Sequence, residues 1–191
     1  MSGFEVIDAV RAPAAPVRYG AETRWLHWSC AVLILAQFVL GELMHRVPHA
    51  WHGPIVSVHL SLGVLLAALF VARVAWRLTG GRAIRFAAGS ARGARLAPLV
   101  HGGLYVLLGG VIALGYLACW SAGRPVVAFG VPIASPFAPP FALMSPVAHQ
   151  RLGSLHGWLA WAIIIAALGH AAAALYHALV LRDGVLRRMW R

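Results

Sequence analysis

The sequence predicts an all-α integral membrane protein: a single bundle of four transmembrane helices with both termini in the cytoplasm. Three observations carry this. The chain of 191 residues is 61% hydrophobic and only 11% charged, whereas soluble domains carry about 25% charged residues. Four apolar stretches are each long enough to cross a hydrocarbon core of about 30 Å. Every one of the 16 basic residues is arginine, and the arginines divide unequally between the two sides of those stretches. Thirteen fall on one side, and Arg46, Arg124 and Arg151 fall on the other. The arginine-rich side faces the cytoplasm, so the spans run out, in, out, in.

The formal charge of +11 would suit nucleic acid, but the arginines flank apolar spans, where membrane topology accounts for them. Lipid is therefore the expected partner, and no nucleic acid is. Cys30 and Cys119 lie inside apolar segments and form no disulfide framework and no metal-ligand spacing.

Residues 1–20 read as a flexible cytoplasmic tail. They carry Glu5 and Asp8 and have no basic start followed by an apolar run, so they do not read as a signal peptide. Residues 21–191 form the one membrane domain. Thr23 is placed to cap the first span, which covers about 25–44, with Trp25 and Trp28 at its interfacial end. The connection 45–54 holds His45, His49 and His52, which suit either a solvated loop or a metal site on the outer face. The second span covers about 55–78, with Gly80 and Gly81 as its stop. The third, about 98–120, opens on Pro98. The connection 121–150 is rich in Pro and Phe and nearly uncharged, and is expected to lie on the membrane surface as a lid. The fourth span covers about 155–178.

Histidines are costly at membrane depth and read as functional, although two of them could simply pack helices together through hydrogen bonds. His156 and His170 are 14 residues apart, which places them on one helix face about 21 Å apart along the axis. The topology puts His27 and His170 near the inner face and His59 and His156 near the outer face. Two imidazoles from different helices can hold one haem iron from both sides, an arrangement suited to electron transfer. No Cys-x-x-Cys-His motif occurs, so the haems would be b-type and non-covalent. Gly63, Gly157 and Gly169 would leave room for the macrocycles. Arg73, 14 residues after His59, shares its face at the depth of the inner pair and could meet a haem propionate, while Arg77 could equally snorkel to the interface. His101 and His177 also lie at the inner face, as competing ligands or as a proton relay or quinone contact.

The motifs RWLHW (24–28), VHLSLG (58–63), RVAWRL (73–78), LVHGGLYVLL (99–108), AFGVPI (128–133), LHGWLA (155–160) and GHAAAALYHALVLRDGVLRRM (169–189) resemble the bacterial cytochrome b561 family. These are small di-haem membrane proteins of four helices that include superoxide oxidase. The resemblance implies His27, His59, His156 and His170 as ligands of two haem b groups, a place in the bacterial inner membrane, and electron exchange with ubiquinone. For some members it implies superoxide as donor.

Three functions are weighed. The first is an oxidoreductase that carries electrons from superoxide to quinone, with Arg46, Arg124 and Arg151 steering the anion. The second is an electron-transfer subunit that docks a separate periplasmic redox partner. The third is a histidine-based metal transporter without haem. It requires a continuous polar path that the spans do not offer.

Overall fold

The computed structural model describes residues 18–80, 91–135 and 146–190, with the backbone alone for 91–95. The larger part of the tail, Arg11, Arg82, Arg85 and Arg191, the side chains of Arg92 and Arg95, and residues 136–145 of the expected lid lie outside the described residues.

Among the described residues four helices are long and apolar enough to cross a membrane. They are α1 (Ala21–Met44), α2 (His49–Thr79), α3 (Ala91–Ser121) and α4 (Pro146–Tyr176). The last continues through a π-helical turn at His177–Leu181, and a short helix, α5 (Arg187–Trp190), follows. Between α3 and α4 lies an antiparallel hairpin of β1 (Val126–Ala128) and β2 (Val131–Ile133).

Several ends differ from the sequence expectation. α2 begins at His49, so His49 and His52 sit on its first turns and Pro54 lies inside it. Pro54 is the sixth residue of the helix, so the Ala50 carbonyl goes without its i→i−4 donor. Pro98 likewise lies inside α3. The first span starts after Gly20 without a side-chain cap. Thr23 instead accepts a hydrogen bond of 2.9 Å from Trp76 Nε1, tying α1 to α2. Gly80 does stop α2, in a backbone conformation with negative φ.

The first and last described segments meet at one end of the bundle. The Tyr19 amide donates to the Arg188 carbonyl, and Trp28 Nε1 donates to the Met189 carbonyl at 3.0 Å. The Trp28 and Trp190 rings meet edge to face at 5.3 Å. The hairpin lies at the opposite end of the bundle. Its Phe129 amide donates to Ser61 Oγ on α2, and Val126 and Ala128 are buried.

α1 packs on α2 and α3 on α4 along most of their lengths. The core between them is formed by Cys30, Leu66, Leu108, Val111 and Ile163. Leu66 is seven residues from both His59 and Arg73, and Ile163 is seven residues from both His156 and His170. An apolar layer therefore separates two polar ends. Two glycines of α3 admit close neighbours. A Cβ on Gly110 would meet Leu159 at 2.9 Å, and one on Gly109 would meet Phe70 at 3.3 Å. Small residues of this kind let membrane helices approach without a hydrophobic driving force.

Candidate functional site

The helix periodicity that places His156 and His170 on one face of α4 presents them to the α1–α2 pair. At the hairpin end His59 and His156 have ring centroids 6.2 Å apart with planes at 81°. At the terminal end His27 and His170 lie 6.3 Å apart with planes at 72°. Two imidazoles bound to opposite sides of one metal through bonds of about 2 Å have centroids roughly 6 Å apart. Both pairs meet that spacing, and this is the test by which the residues fit a metal-centred group held between helices. His101 lies on α3 with its ring 5.1 Å from that of His170, closer than such a sandwich requires.

At the hairpin end His156 is fixed through its second nitrogen. Nδ1 lies 2.8 Å from the Val111 carbonyl. A carbonyl only accepts, so Nδ1 carries the hydrogen and Nε2 keeps its lone pair. Gly115 lets the ring lie against α3, since a Cβ there would meet His156 Cε1 at 3.1 Å. His59 Nδ1 is buried and makes no hydrogen bond of good geometry, although the Gln37 carbonyl lies beside it. Gln37 occupies the notch at Gly63, where a Cβ would meet its Nε2 at 2.9 Å, and its Oε1 is buried without a partner. Gly63 therefore makes room for an amide side chain, whereas a Cβ on Gly157 or Gly169 would meet nothing within 4 Å.

At the terminal end His27 is fixed differently. Arg73 Nη2 lies 3.0 Å from His27 Nδ1, and Arg73 Nε donates to the Tyr105 hydroxyl at 3.0 Å. The guanidinium also lies 5.7 Å from the Tyr105 ring centre. Among the described residues its Nη1 is buried without a hydrogen-bond partner. Arg73 stands six residues before the end of α2, about 9 Å inside it. A cation held there with an unspent donor fits an incoming carboxylate.

The remaining sequence candidates scatter. His101 Nδ1 lies 2.7 Å from the Ala97 carbonyl. His177 Nδ1 pairs with the Asp183 carboxylate beyond the end of the span. Partial burial works to raise the Asp183 pKa, but the His177 hydrogen bond, the Val185 amide and the Arg188 charge outweigh it and hold the carboxyl below its ordinary value. His45, His49 and His52 do not converge: among the described residues no group of three or more His, Cys, Asp or Glu side chains could hold a metal ion. Arg46 is ion-paired with Glu42 at 3.3 Å, whereas among the described residues Arg124 and Arg151 form no ion pair.

Sequence reasoning missed Tyr105, Val111 and Gly115. Tyr105 lies four residues after His101, so its place on the facing helix was readable, but nothing in the chain signalled that it meets Arg73. The Val111 carbonyl belongs to the backbone and leaves no residue signal at all.

The sequence matches the family model described as prokaryotic cytochrome b561 over residues 18–191. It is 31% identical over 177 residues to "Cytochrome b561 homolog 2" of Escherichia coli (strain K12), covering 91% of this chain and 92% of that protein. It is 29% identical over 177 residues to "Cytochrome b562" of Cereibacter sphaeroides, covering 87% and 90%.

Proposed function

This chain belongs to the prokaryotic cytochrome b561 family, and from that premise we infer that it is a di-haem superoxide:quinone oxidoreductase of the bacterial inner membrane. The coarser reading needs no inference: the family makes it a multi-pass membrane cytochrome of electron transfer with b-type haem. The pair of matched histidine spacings, 6.2 Å at one end and 6.3 Å at the other, supports the two haem sites.

His59 and His156 would hold the outer haem, and His27 and His170 the inner one. Held between two imidazoles, such a haem would supply one-electron transfer. The Val111 carbonyl orients His156 so that its Nε2 lone pair faces the metal, as outer-shell partners of metal-bound imidazoles commonly do. The apolar layer around Leu66 and Ile163 excludes water between the two sites. Arg73 Nη1 is the donor for an inner propionate. The arginine bias puts the hairpin end outside and the chain termini in the cytoplasm. Arg124 and Arg151 draw an anionic donor to the outer face. In the overall reaction two superoxide anions are oxidised to dioxygen, and one ubiquinone takes up two electrons and two protons.

The optical spectrum of the purified protein tests the first part, with two b-type haems per chain as the expected result. Stopped-flow reduction by superoxide tests the second. The rate should fall as salt shortens the screening length from about 10 Å at 0.1 M to about 3 Å at 1 M. Replacing Arg124 and Arg151 with Gln should slow it severalfold and flatten its salt dependence. A negligible rate at every salt concentration sinks the superoxide reading. It would favour a subunit that docks a separate redox protein, for which Val127, Phe129 and Val131, all exposed on the hairpin, offer an uncharged surface.

A further inference from the structure

The two histidine pairs are equally spaced but unequally prepared. At the hairpin end the Val111 carbonyl accepts from His156 Nδ1, so Nε2 stands free as a ligand. At the terminal end the neighbour of His27 Nδ1 is Arg73, and a guanidinium only donates. His27 Nδ1 must therefore accept. In a neutral imidazole the ring hydrogen then sits on Nε2, the nitrogen that would bind iron. Before His27 can ligate, one hydrogen has to leave Nε2 and one has to arrive on Nδ1, with no net change of charge and no electron transferred. Nδ1–H cannot face a guanidinium N–H, so Arg73 has to let go.

The surroundings give Arg73 somewhere to go. Its Nε is anchored on the Tyr105 hydroxyl, and among the described residues its Nη1 is buried with no hydrogen-bond partner. A guanidinium pinned at Nε can pivot and hand Nη2 from a neutral ring to a carboxylate, and charge-assisted pairs of that kind are roughly twice as strong as neutral ones.

We propose that Arg73 is a loading latch. It holds His27 in the tautomer that cannot bind iron until an arriving carboxylate, a haem propionate, draws the guanidinium away, so the hairpin-end site fills first and the terminal-end site second. Arg73 is thus a positioning residue that acts through His27. This rests on the assignment of the two pairs as haem sites and adds an order of assembly to it.

The test uses the full-length chain, prepared without haem and titrated with haemin while the Soret band is followed. H156A leaves only the terminal-end site and H170A only the hairpin-end site. Haem uptake by H156A should be slower than by H170A by roughly tenfold, the scale of one hydrogen bond to a charged group. Adding R73M to H156A should speed uptake and also speed loss of bound haem to an excess of a haem-scavenging protein. A residue that merely anchors a propionate would change loss alone. Equal uptake rates in H156A and H170A overturn the latch. So does an R73M chain that loses haem faster but takes it up no faster. Should R73M fail to fold, the comparison of H156A with H170A decides. If H156A and H170A do not each bind one haem, the assignment of the pairs fails rather than the latch.

Discussion

The two ends of this bundle solve one geometric problem with different chemistry. Each brings two imidazoles from separate helices to about the same spacing, 6.2 Å at the hairpin end and 6.3 Å at the terminal end. At the hairpin end the second nitrogen of His156 lies at the Val111 backbone carbonyl, while His59 Nδ1 makes no hydrogen bond among the described residues. At the terminal end His27 lies beside a guanidinium held by Tyr105. A carbonyl fixes the tautomer a ligand needs and adds no charge. An arginine adds a full positive charge inside the membrane and fixes the opposite tautomer. Matched spacing therefore does not make the two sites equivalent, because the group behind each ring decides what the ring can do.

The largest effects should come from the rings themselves. His59→Ala and His156→Ala should each lose the hairpin-end haem and keep the other, and His27→Ala and His170→Ala should do the reverse. Haem content near one per chain, with complementary spectral losses, is the expected pattern. If His27→Ala and His59→Ala removed the same haem, the pairing would be wrong.

A smaller effect is expected one layer out. Gly115→Val places side-chain atoms where the His156 ring now lies, since even a Cβ would stand 3.1 Å from Cε1. It should lower occupancy of the hairpin-end site and leave the terminal-end spectrum unchanged, as read from haem per chain and from EPR of the oxidised protein. An equal loss at both ends would show that the bundle loosened as a whole.

His101→Ala should retain both haems, because its ring sits only 5.1 Å from His170 and its Nδ1 is already engaged with Ala97. A chain with one haem would make His101 the ligand in place of His27.

Gln37→Leu removes the buried, unpartnered Oε1 between the two sites. Stability to heat should be unchanged or raised by about 1 kcal/mol, and a clear loss would mean that the amide has a partner in the loaded protein.

The smallest effect belongs to the terminal end. Asp183 is held below its ordinary pKa of 3.8. Its contribution to stability is therefore fully present at neutral pH and is lost only as the pH falls through the carboxylate's lowered pKa. Asp183→Asn should cost little at pH 7 and should abolish that acid-side loss, as followed by thermal unfolding between pH 2 and 7.

Hydropathy and arginine counts were enough to specify a bundle of four spans. The 14-residue interval between His156 and His170 was enough to put two imidazoles on one face. These are local properties, because helix periodicity and the cost of burying polar groups act within one segment. Helix ends were less legible. α2 runs back through His49, His52 and Pro54, although Pro54 cannot donate to the Ala50 carbonyl. Thr23, which suits a cap, spends its hydroxyl on Trp76 instead. The sequence by itself determined the membrane class, the four-span order and which histidines can meet. Only the tertiary structure decided that Val111 stands behind His156, that Gln37 fills the notch at Gly63, and that Arg73 and Tyr105 stand behind His27. Those partners lie on other helices, some tens of residues away in the chain. No periodicity within one helix encodes which atom of another will face it.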